Sequence, residues 1–475
     1  MVSGSGASST VKPTVSVPGT RRKTGSQFPN DQETPKPRSL FSKPARMVPC
    51  PLQPGQASGS NASPLGRTAP SGYNPCYGKV VARIAPVFSL TRFLGIAYPD
   101  SLKSYLRSRR RRVVINAMHA KSGGGVTYLR NILPLLADNP QLEPHIFLHR
   151  SQLPLFHPMD ERIIVHAFDF PLGLARLMGW EQVILPIMAR VMSADLIFSP
   201  ANFGSMLAGR QVILLRNALA VAKTETRWGK RLYWIALGLI TFISLLRAKQ
   251  AIAVSRYAAD SLSLGFGKHF RKKIRIVHHG ISPVFCPAPS VERLNFILAV
   301  SDIYVQKNLH TLFQAMKLVF ERHPDLRLLV AGQKIDEWYY NLVVALGKDL
   351  GINDNILFLG RLDTEELLNL YRQCRLFVFP STAETFGNPL VEAMACGAPI
   401  ASSNSAAMPE IVADAALLFN PLDSADMAQT ILKLLDDPVL CQQLSVKGQD
   451  RAKLFSWTET AKQTIDVLID ASRSD

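Results

Sequence analysis

Between Arg375 and Pro399 the sequence reads RLFVFPSTAETFGNPLVEAMACGAP. A buried β-run ends at Ser381, a loop carries Glu384, Gly387 permits a tight turn, Asn388 can cap a helix, and Pro389 suits its first position. Glu392 follows in the first turn of that helix, eight residues after Glu384. The free amides of a helix start attract an anion, and two carboxylates beside them can accept hydrogen bonds from sugar or ribose hydroxyls. The plainer alternative is a solvated loop acid at 384 and a favourable partner of the helix dipole at 392. A second candidate is Lys121-Ser122-Gly123-Gly124-Gly125, after a strand and before VTYLRNILPLLA. Glycines let backbone approach a phosphate or diphosphate, although a tight strand-to-helix turn needs the same residues. Two other strings mislead: SGSGASS at 3–9 has no strand before it, and Gly267-Lys268 is followed by His269 where a P-loop needs Ser or Thr.

Such loops need a scaffold, and from Arg112 onward short β-rich runs alternate with helical patterns, the signature of parallel sheets covered on both faces. The first half offers strands at 113–118, 145–149, 162–168, 196–201, 212–217, 251–255 and 274–280. The second offers 296–301, 326–332, 356–360, 375–381, 399–403 and 416–420. Between them, Asp363 and Glu366 form a capping box for a helix reaching Cys374. A segment with Pro283, Pro287 and Pro289 divides the halves. The expected organisation is a tail at 1–75, a basic and apolar pre-domain segment at 76–111, a Rossmann-like doubly wound domain at 112–281 and a linker at 282–295. A second doubly wound domain at 296–455 and a last helix at 456–475 follow. Open α/β sheets bind ligands at the carboxyl ends of their strands, so the cleft between two of them is where chemistry belongs.

Glu384-Thr-Phe-Gly-Asn-Pro-Leu-Val-Glu392 resembles the Glu-x7-Glu motif of the retaining glycosyltransferases of family 4. It is followed in that family's order by Glu-Ala-Met-Ala-Cys-Gly-Ala-Pro (392–399) and Met408-Pro409-Glu410. Lys307-Asn308-Leu309 is similar to its phosphate-binding Lys element, and Phe455-Ser-Trp457 to the opening of its last helix. GGGVTYL and AVSRYAADSL are similar in the first half. The resemblance implies an α/β fold of GT-B architecture, two facing Rossmann-like domains with a C-terminal crossover helix. It also implies roles: Lys307 stabilises the leaving phosphate and Glu384 holds donor-sugar hydroxyls. Glu392 binds the ribose, while amides of Phe386, Gly387, Asn388 and Leu390 line the diphosphate. Gly124 and Gly125 close from the other domain, and Gly360-Arg361-Leu362 lies near the base. The family needs no metal, and the chain has no Asp-x-Asp triplet. Two departures stand out. Ser301 occupies the place of a frequent Arg, so the phosphate site lacks a charge unless Arg361 supplies it. Arg216-Asn217 replaces a frequent His-Asp pair, which leaves Arg216 either to touch the donor phosphate or to anchor a loop.

The 475 residues carry a net charge of +18 from 54 Lys+Arg against 36 Asp+Glu. Residues 1–75 hold nine Lys/Arg and two acids, and 32 of them are Pro, Gly or Ser, too little apolar surface to offset ordering entropy. A disordered tail is expected. It lacks a signal-peptide-like apolar run, so the setting read here is cytoplasmic, with membrane association or organellar import left open. The six cysteines show no Cys-x-x-Cys pair, which reads as a reducing compartment without structural zinc. No nucleic-acid-binding signature accompanies the charge. The longest apolar run, Tyr233 to Leu246, is short of the roughly 20 residues of a span and reads as a core helix first, an interfacial one second. Arg109 to Arg112 is a second candidate for anionic lipid, or a solvated run before the first strand.

The reading is a metal-independent retaining hexosyltransferase, mannose favoured, acting from a GDP- or UDP-sugar on a saccharide or lipid-linked acceptor, with no cofactor and with peripheral membrane contact open. The alternatives are a nucleotide-sugar 2-epimerase of the same architecture and a degenerate sugar-nucleotide-binding protein.

Overall fold

The computed structural model describes residues 110–121, 123–216, 227–288 and 291–473. The tail at 1–75, the pre-domain segment up to 109, and Asn217 lie outside them. Two sheets stand among the described residues. The first comprises β1 (Arg111–Asn116), β2 (Leu142–His149), β3 (Ile164–Phe168), β4 (Leu196–Ser199), β5 (Gln211–Leu215), β6 (Gln250–Ala253) and β7 (Ile274–Ile276), in the order β3-β2-β1-β4-β5-β6-β7. The second comprises β8 (Leu294–Val300), β9 (Arg327–Ala331), β10 (Ile356–Gly360), β11 (Cys374–Phe379), β12 (Ile400–Ser403) and β13 (Leu417–Phe419), in the order β10-β9-β8-β11-β12-β13. The pairings are parallel. Each stretch read as a strand overlaps one of these. Burial on both faces explains why: residues 212–215 of β5 and 376–379 of β11 are buried throughout, and both runs are continuously apolar.

Strand order reverses between β1 and β4 in the first sheet and between β8 and β11 in the second. A crevice opens at each reversal because the connections leave toward opposite faces. The loops after β1, β8 and β11 carry the Gly-rich, Lys307 and Glu384 elements, so the fold brings the candidate residues to the switch points.

The last helix, Trp457–Ser472, is capped by Ser456 and buries Trp457, Ala461, Thr464, Leu468 and Ala471 at helical spacing. It crosses back to the first domain, where the Tyr128 hydroxyl meets Thr464 Oγ1 at 3.1 Å. Gly280 is necessary for the crossing, since a Cβ there would lie 2.1 Å from the Trp457 backbone nitrogen.

Two expectations need correction. The run at 233–246 belongs to a longer helix, Trp228–Arg247, of which Gly238, Thr241, Ser244 and Leu245 are buried. Gly238, Thr241, Ser244 and Leu245 face the sheet with Trp234, Leu237 and Phe242 packed half-buried beside them, while Trp228, Leu232, Ile235, Leu239 and Leu246 face outward, so this is not a fully buried core helix. Arg111 and Arg112 are not a charge run ahead of the fold: they open β1, and Arg112 is held by Glu143 at 2.8 Å and, through its backbone N–H, by Asp195 at 2.8 Å.

Candidate active site

After β8 a short turn, Val305–Lys307, leads into the helix Leu309–Arg322. Asn308 between them is left-handed, with φ of 58°, a conformation asparagine tolerates better than most residues. Its side-chain amide donates to the carbonyls of Pro380 (3.0 Å) and Pro421 (2.6 Å), and its carbonyl accepts from Thr311 Oγ1 (2.7 Å). The Thr382 N–H donates to the Gln306 carbonyl at 2.9 Å. These bonds fix the Lys307 turn against the loop after β11. There Lys307 Nζ donates to Glu384 Oε1, with the Tyr304 and Phe379 rings 5.4 and 5.9 Å from the ammonium. Lys307 is only 8% exposed. Burial alone would lower its pKa, but the Glu384 carboxylate and the Tyr304 hydroxyl together outweigh that and hold it above the usual range for lysine.

Four residues after Glu384 the helix Asn388–Ala395 begins. Gly387 turns into it with φ of 88°, and no side chain caps its first amides. Contrary to expectation, the Leu390 N–H is not free for a ligand: it donates to the Gly387 carbonyl at 3.0 Å and closes the turn. Among the described residues, the N–H groups of Phe386, Gly387 and Asn388 close no such turn. Phe386 itself is buried, its ring 5.2 Å from His279 and 5.6 Å from Phe455. Glu392 accepts a 2.9 Å hydrogen bond from the Tyr371 hydroxyl. Burial pushes its pKa up to about 7, with the Tyr371 hydrogen bond pulling the other way.

The first domain meets this helix start through its glycines. A Cβ on Gly124 would sit 3.8 Å from Asn388 Nδ2, an ordinary contact, whereas one on Gly125 would sit 2.4 Å from Arg216 Nη2 and displace the guanidinium. Gly125 therefore leaves the room that Arg216 occupies. Arg216 Nε donates to the Pro200 carbonyl at 3.0 Å, its N–H to Asn202 Oδ1 at 2.8 Å, and its own carbonyl accepts from the Thr385 hydroxyl. Burial lowers the guanidinium's pKa, with Tyr128 opposing. Arg216 thus ties the loop after β4, the Gly run and the Glu384 loop together.

Several residues at the seam escaped the sequence reading. Ser255 Oγ donates to the Thr385 carbonyl at 2.5 Å while capping the helix Arg256–Leu262. Glu410 accepts from the N–H groups of Arg256 (2.9 Å) and Tyr257 (3.3 Å) and pairs with His278 Nε2 at 3.2 Å. Its pKa is lowered although burial acts to raise it, because His278 and the two amides outweigh burial. His279 is stacked among Tyr128, Phe386 and Trp457, with Nδ1 3.4 Å from Asn388 Oδ1. Burial, and then the Arg216 charge, press its pKa down to about 4, so it is neutral at pH 7. At the end of β1, His119 Nε2 lies 2.8 Å from Glu181 Oε2, and Asn116 Nδ2 donates to Glu181 Oε1 at 2.9 Å. That fully buried carboxylate orients an imidazole beside the Gly run. The seam partners are far apart in the chain; Glu410 and the Ser255-Arg256-Tyr257 run lie inside strings that carry the family resemblance, but their pairing with each other had no sequence signal.

Other positions stay outside this cluster. Ser301 donates its N–H to the Ala331 carbonyl, and its own carbonyl would lie 1.9 Å from a Cβ at Gly332, so this position is tightly packed backbone that brings no charge. Arg361 is exposed beyond β10, which β9 separates from β8, and Leu362 packs on the core. Among the described residues, no three His, Cys, Asp or Glu side chains are gathered as metal ligands.

Residues 287–451 match the family model described as glycosyl transferases group 1. The second domain is a group 1 glycosyl transferase domain. The serotype-specific mannosyltransferase WbdA of Escherichia coli is 32% identical over 172 residues, 36% of this chain and 21% of WbdA. The O-antigen chain mannosyltransferase B of Escherichia coli is 34% identical over 175 residues, 36% of this chain and 45% of that protein. The chain thus spans less than half the length of either relative. Among solved structures, Anabaena Alr3699/HepE in complex with UDP-glucose superposes with a TM-score of 0.59 at 18% identity, covering 76% of this chain and 99% of that one. This likeness extends the two-domain GT-B fold beyond the group 1 domain. The Lys307 turn, Glu384 and Glu392 all lie inside the matched group 1 segment.

Proposed function

We propose that the protein is a retaining glycosyltransferase that moves a hexose, mannose first, from a nucleoside-diphosphate donor to a hydroxyl of a saccharide or lipid-linked acceptor, without a metal. The observation that carries this reading is the Lys307–Glu384 pair at the β8/β11 switch point, set against an uncapped helix start that Gly124 of the other domain approaches. A donor diphosphate lies between Lys307 and the amides of Phe386, Gly387 and Asn388, which stabilise charge as it develops on the leaving phosphate. Glu384 accepts hydrogen bonds from sugar hydroxyls and Glu392 from the ribose. The anomeric carbon–phosphate oxygen bond breaks, the acceptor oxygen bonds to that carbon from the same face, and the acceptor proton passes to the departing phosphate. The names of the two relatives favour mannose and hence GDP, and the UDP-glucose complex keeps UDP open.

Arg216 and His279 do not serve as bases in this scheme. Arg216 stays charged, and His279 is buried among rings and anchors the seam. The cytoplasmic setting belongs to this proposal. Incubation with GDP-mannose and UDP-glucose, each with mixed saccharide and lipid-linked acceptors, tests it. Nucleoside diphosphate released in step with a new glycoside of unchanged anomeric configuration is the expected result. Epimerised sugar without acceptor product, or donor binding without turnover, would replace it with the epimerase or the binding protein.

A further inference from the structure

The helix Trp228–Arg247 is apolar on both sides: Leu245, Trp234, Leu237 and Phe242 pack on the first domain, and a second apolar stripe is left exposed. Its buried face is Gly238, Thr241, Ser244 and Leu245, and the hydroxyls there are already bonded: Thr241 donates to the Leu237 carbonyl at 2.8 Å and Ser244 accepts from the Gly204 N–H at 3.3 Å. Its outer face carries Trp228, Leu232, Ile235, Leu239 and Leu246 at steps of i, i+4, i+7, i+11 and i+18, one stripe on a 3.6-residue helix. Trp228 is 79% exposed, Leu232 65%, and the other three are each more than half exposed. Phe266, also more than half exposed, extends the patch, since its ring lies 5.9 Å from Phe242 on the same helix. A stripe of this kind on a water-facing helix marks an interaction site.

Charge decides among its partners. From Arg227 to Lys273 the sequence has ten Lys/Arg and one acid, Asp260. Arg231 stands exposed at one end of the stripe, where Arg227 and Lys230 pair with Asp336, Arg247 at the other, and Lys268, Arg271 and Lys272 beside Phe266. A second copy of this chain would set these cations against themselves. An anionic bilayer accepts both features, apolar side chains in the acyl boundary and cations among the headgroups. The buried face also fixes the mode, because spanning the bilayer would strip Leu245 and the Ser244 hydrogen bond from the first domain.

We infer that this face is a membrane-docking surface, with the helix lying in the plane of an anionic lipid headgroup layer. The surface is independent of the donor chemistry, and vesicle binding reads no turnover, so its failure would leave the reading of the cleft untouched. The test is co-sedimentation of the full chain with phosphatidylcholine vesicles and with vesicles of equal parts phosphatidylcholine and phosphatidylglycerol. Binding to the mixed vesicles alone is expected, reversed by salt and by alkaline carbonate. The pair Ile235→Glu and Leu239→Glu should weaken partitioning about tenfold or more, and Lys268→Glu with Arg271→Glu should do the same with a reduced salt dependence. Because all four side chains lie outside the cleft, nucleoside-diphosphate affinity should be unchanged, which reports intact folding. Indifference to anionic lipid, equal sedimentation of wild type and variants, or retention through carbonate would overturn the inference. So would a dimer in light scattering that Ile235→Glu dissolves while vesicles are ignored.

Discussion

Glu392→Gln should make the protein more stable and a poorer binder of nucleotides, and both effects follow from one carboxyl. Its pKa of about 7 stands against an ordinary 4.5, because burial disfavours the charge more than the Tyr371 hydrogen bond favours it. A raised folded-state pKa on an acid means that the folded chain holds an extra proton between those values. Stability therefore falls as pH rises from about 4.5 to 7, and the full penalty is present above 7. At 1.36 kcal/mol per unit, a 2.5-unit difference is about 3 kcal/mol, an upper figure because the carboxylate keeps part of its surface in water. Glutamine removes the penalty and still accepts from Tyr371. Urea melts should show the variant more stable by up to about 3 kcal/mol at pH 8 and equal to wild type near pH 4.

Binding runs the other way. Ribose hydroxyls donate to the ionised carboxylate, so wild-type affinity should fall about elevenfold from its alkaline plateau by pH 6, one proton being displaced. Calorimetric titration with GDP and UDP across that range measures it. Titration of the nucleotide's own phosphate contributes equally to both proteins, so the difference between them isolates Glu392. Equal stability at pH 8, or parallel pH profiles of affinity in the two proteins, would refute the reasoning.

Glu384→Gln should lower kcat roughly 10- to 150-fold while nucleoside-diphosphate affinity holds or rises, since the change removes a charged acceptor from the sugar and frees Lys307 from its partner. Steady-state rates and calorimetry together separate this from the Glu392 effect. Gly280→Ala forces a Cβ onto the Trp457 backbone and should cost about 1–3 kcal/mol by thermal melt, the crossover helix being displaced. Activity should survive excess EDTA, and loss restored by Mg²⁺ or Mn²⁺ would contradict a scheme in which Lys307 and helix amides carry the phosphate charge.

The strands were legible because a parallel sheet buried on both faces leaves continuous apolar runs, as in FILAVS and RLFVFP. The Glu384 to Glu392 spacing was legible because turn, cap and carboxylates share one short segment. What lay hidden depended on partners distant in sequence. Ser255 meets Thr385 across 130 residues and Arg256 meets Glu410 across 154, pairings that no local pattern encodes. The helix at 228–247 was misread for a related reason: hydrophobicity marks a residue that prefers burial, but which face is covered depends on the sheet beneath, and Gly238, Thr241 and Ser244 are what fit there. Leu390 was assigned a free amide because sequence shows the helix start but not the turn that closes on Gly387.

In the proposed reaction Lys307, held by Glu384 at the β8/β11 switch point, carries the charge of a departing phosphate. Single-turnover sugar transfer by wild type and Lys307→Ala from saturating donor reads that role. A fall of about 10² or more in the chemical rate, with folding shown intact by an unchanged urea midpoint of the second domain or by retained donor binding, is the result expected. A Lys307→Ala variant that still bound donor and transferred sugar at the wild-type rate would contradict it.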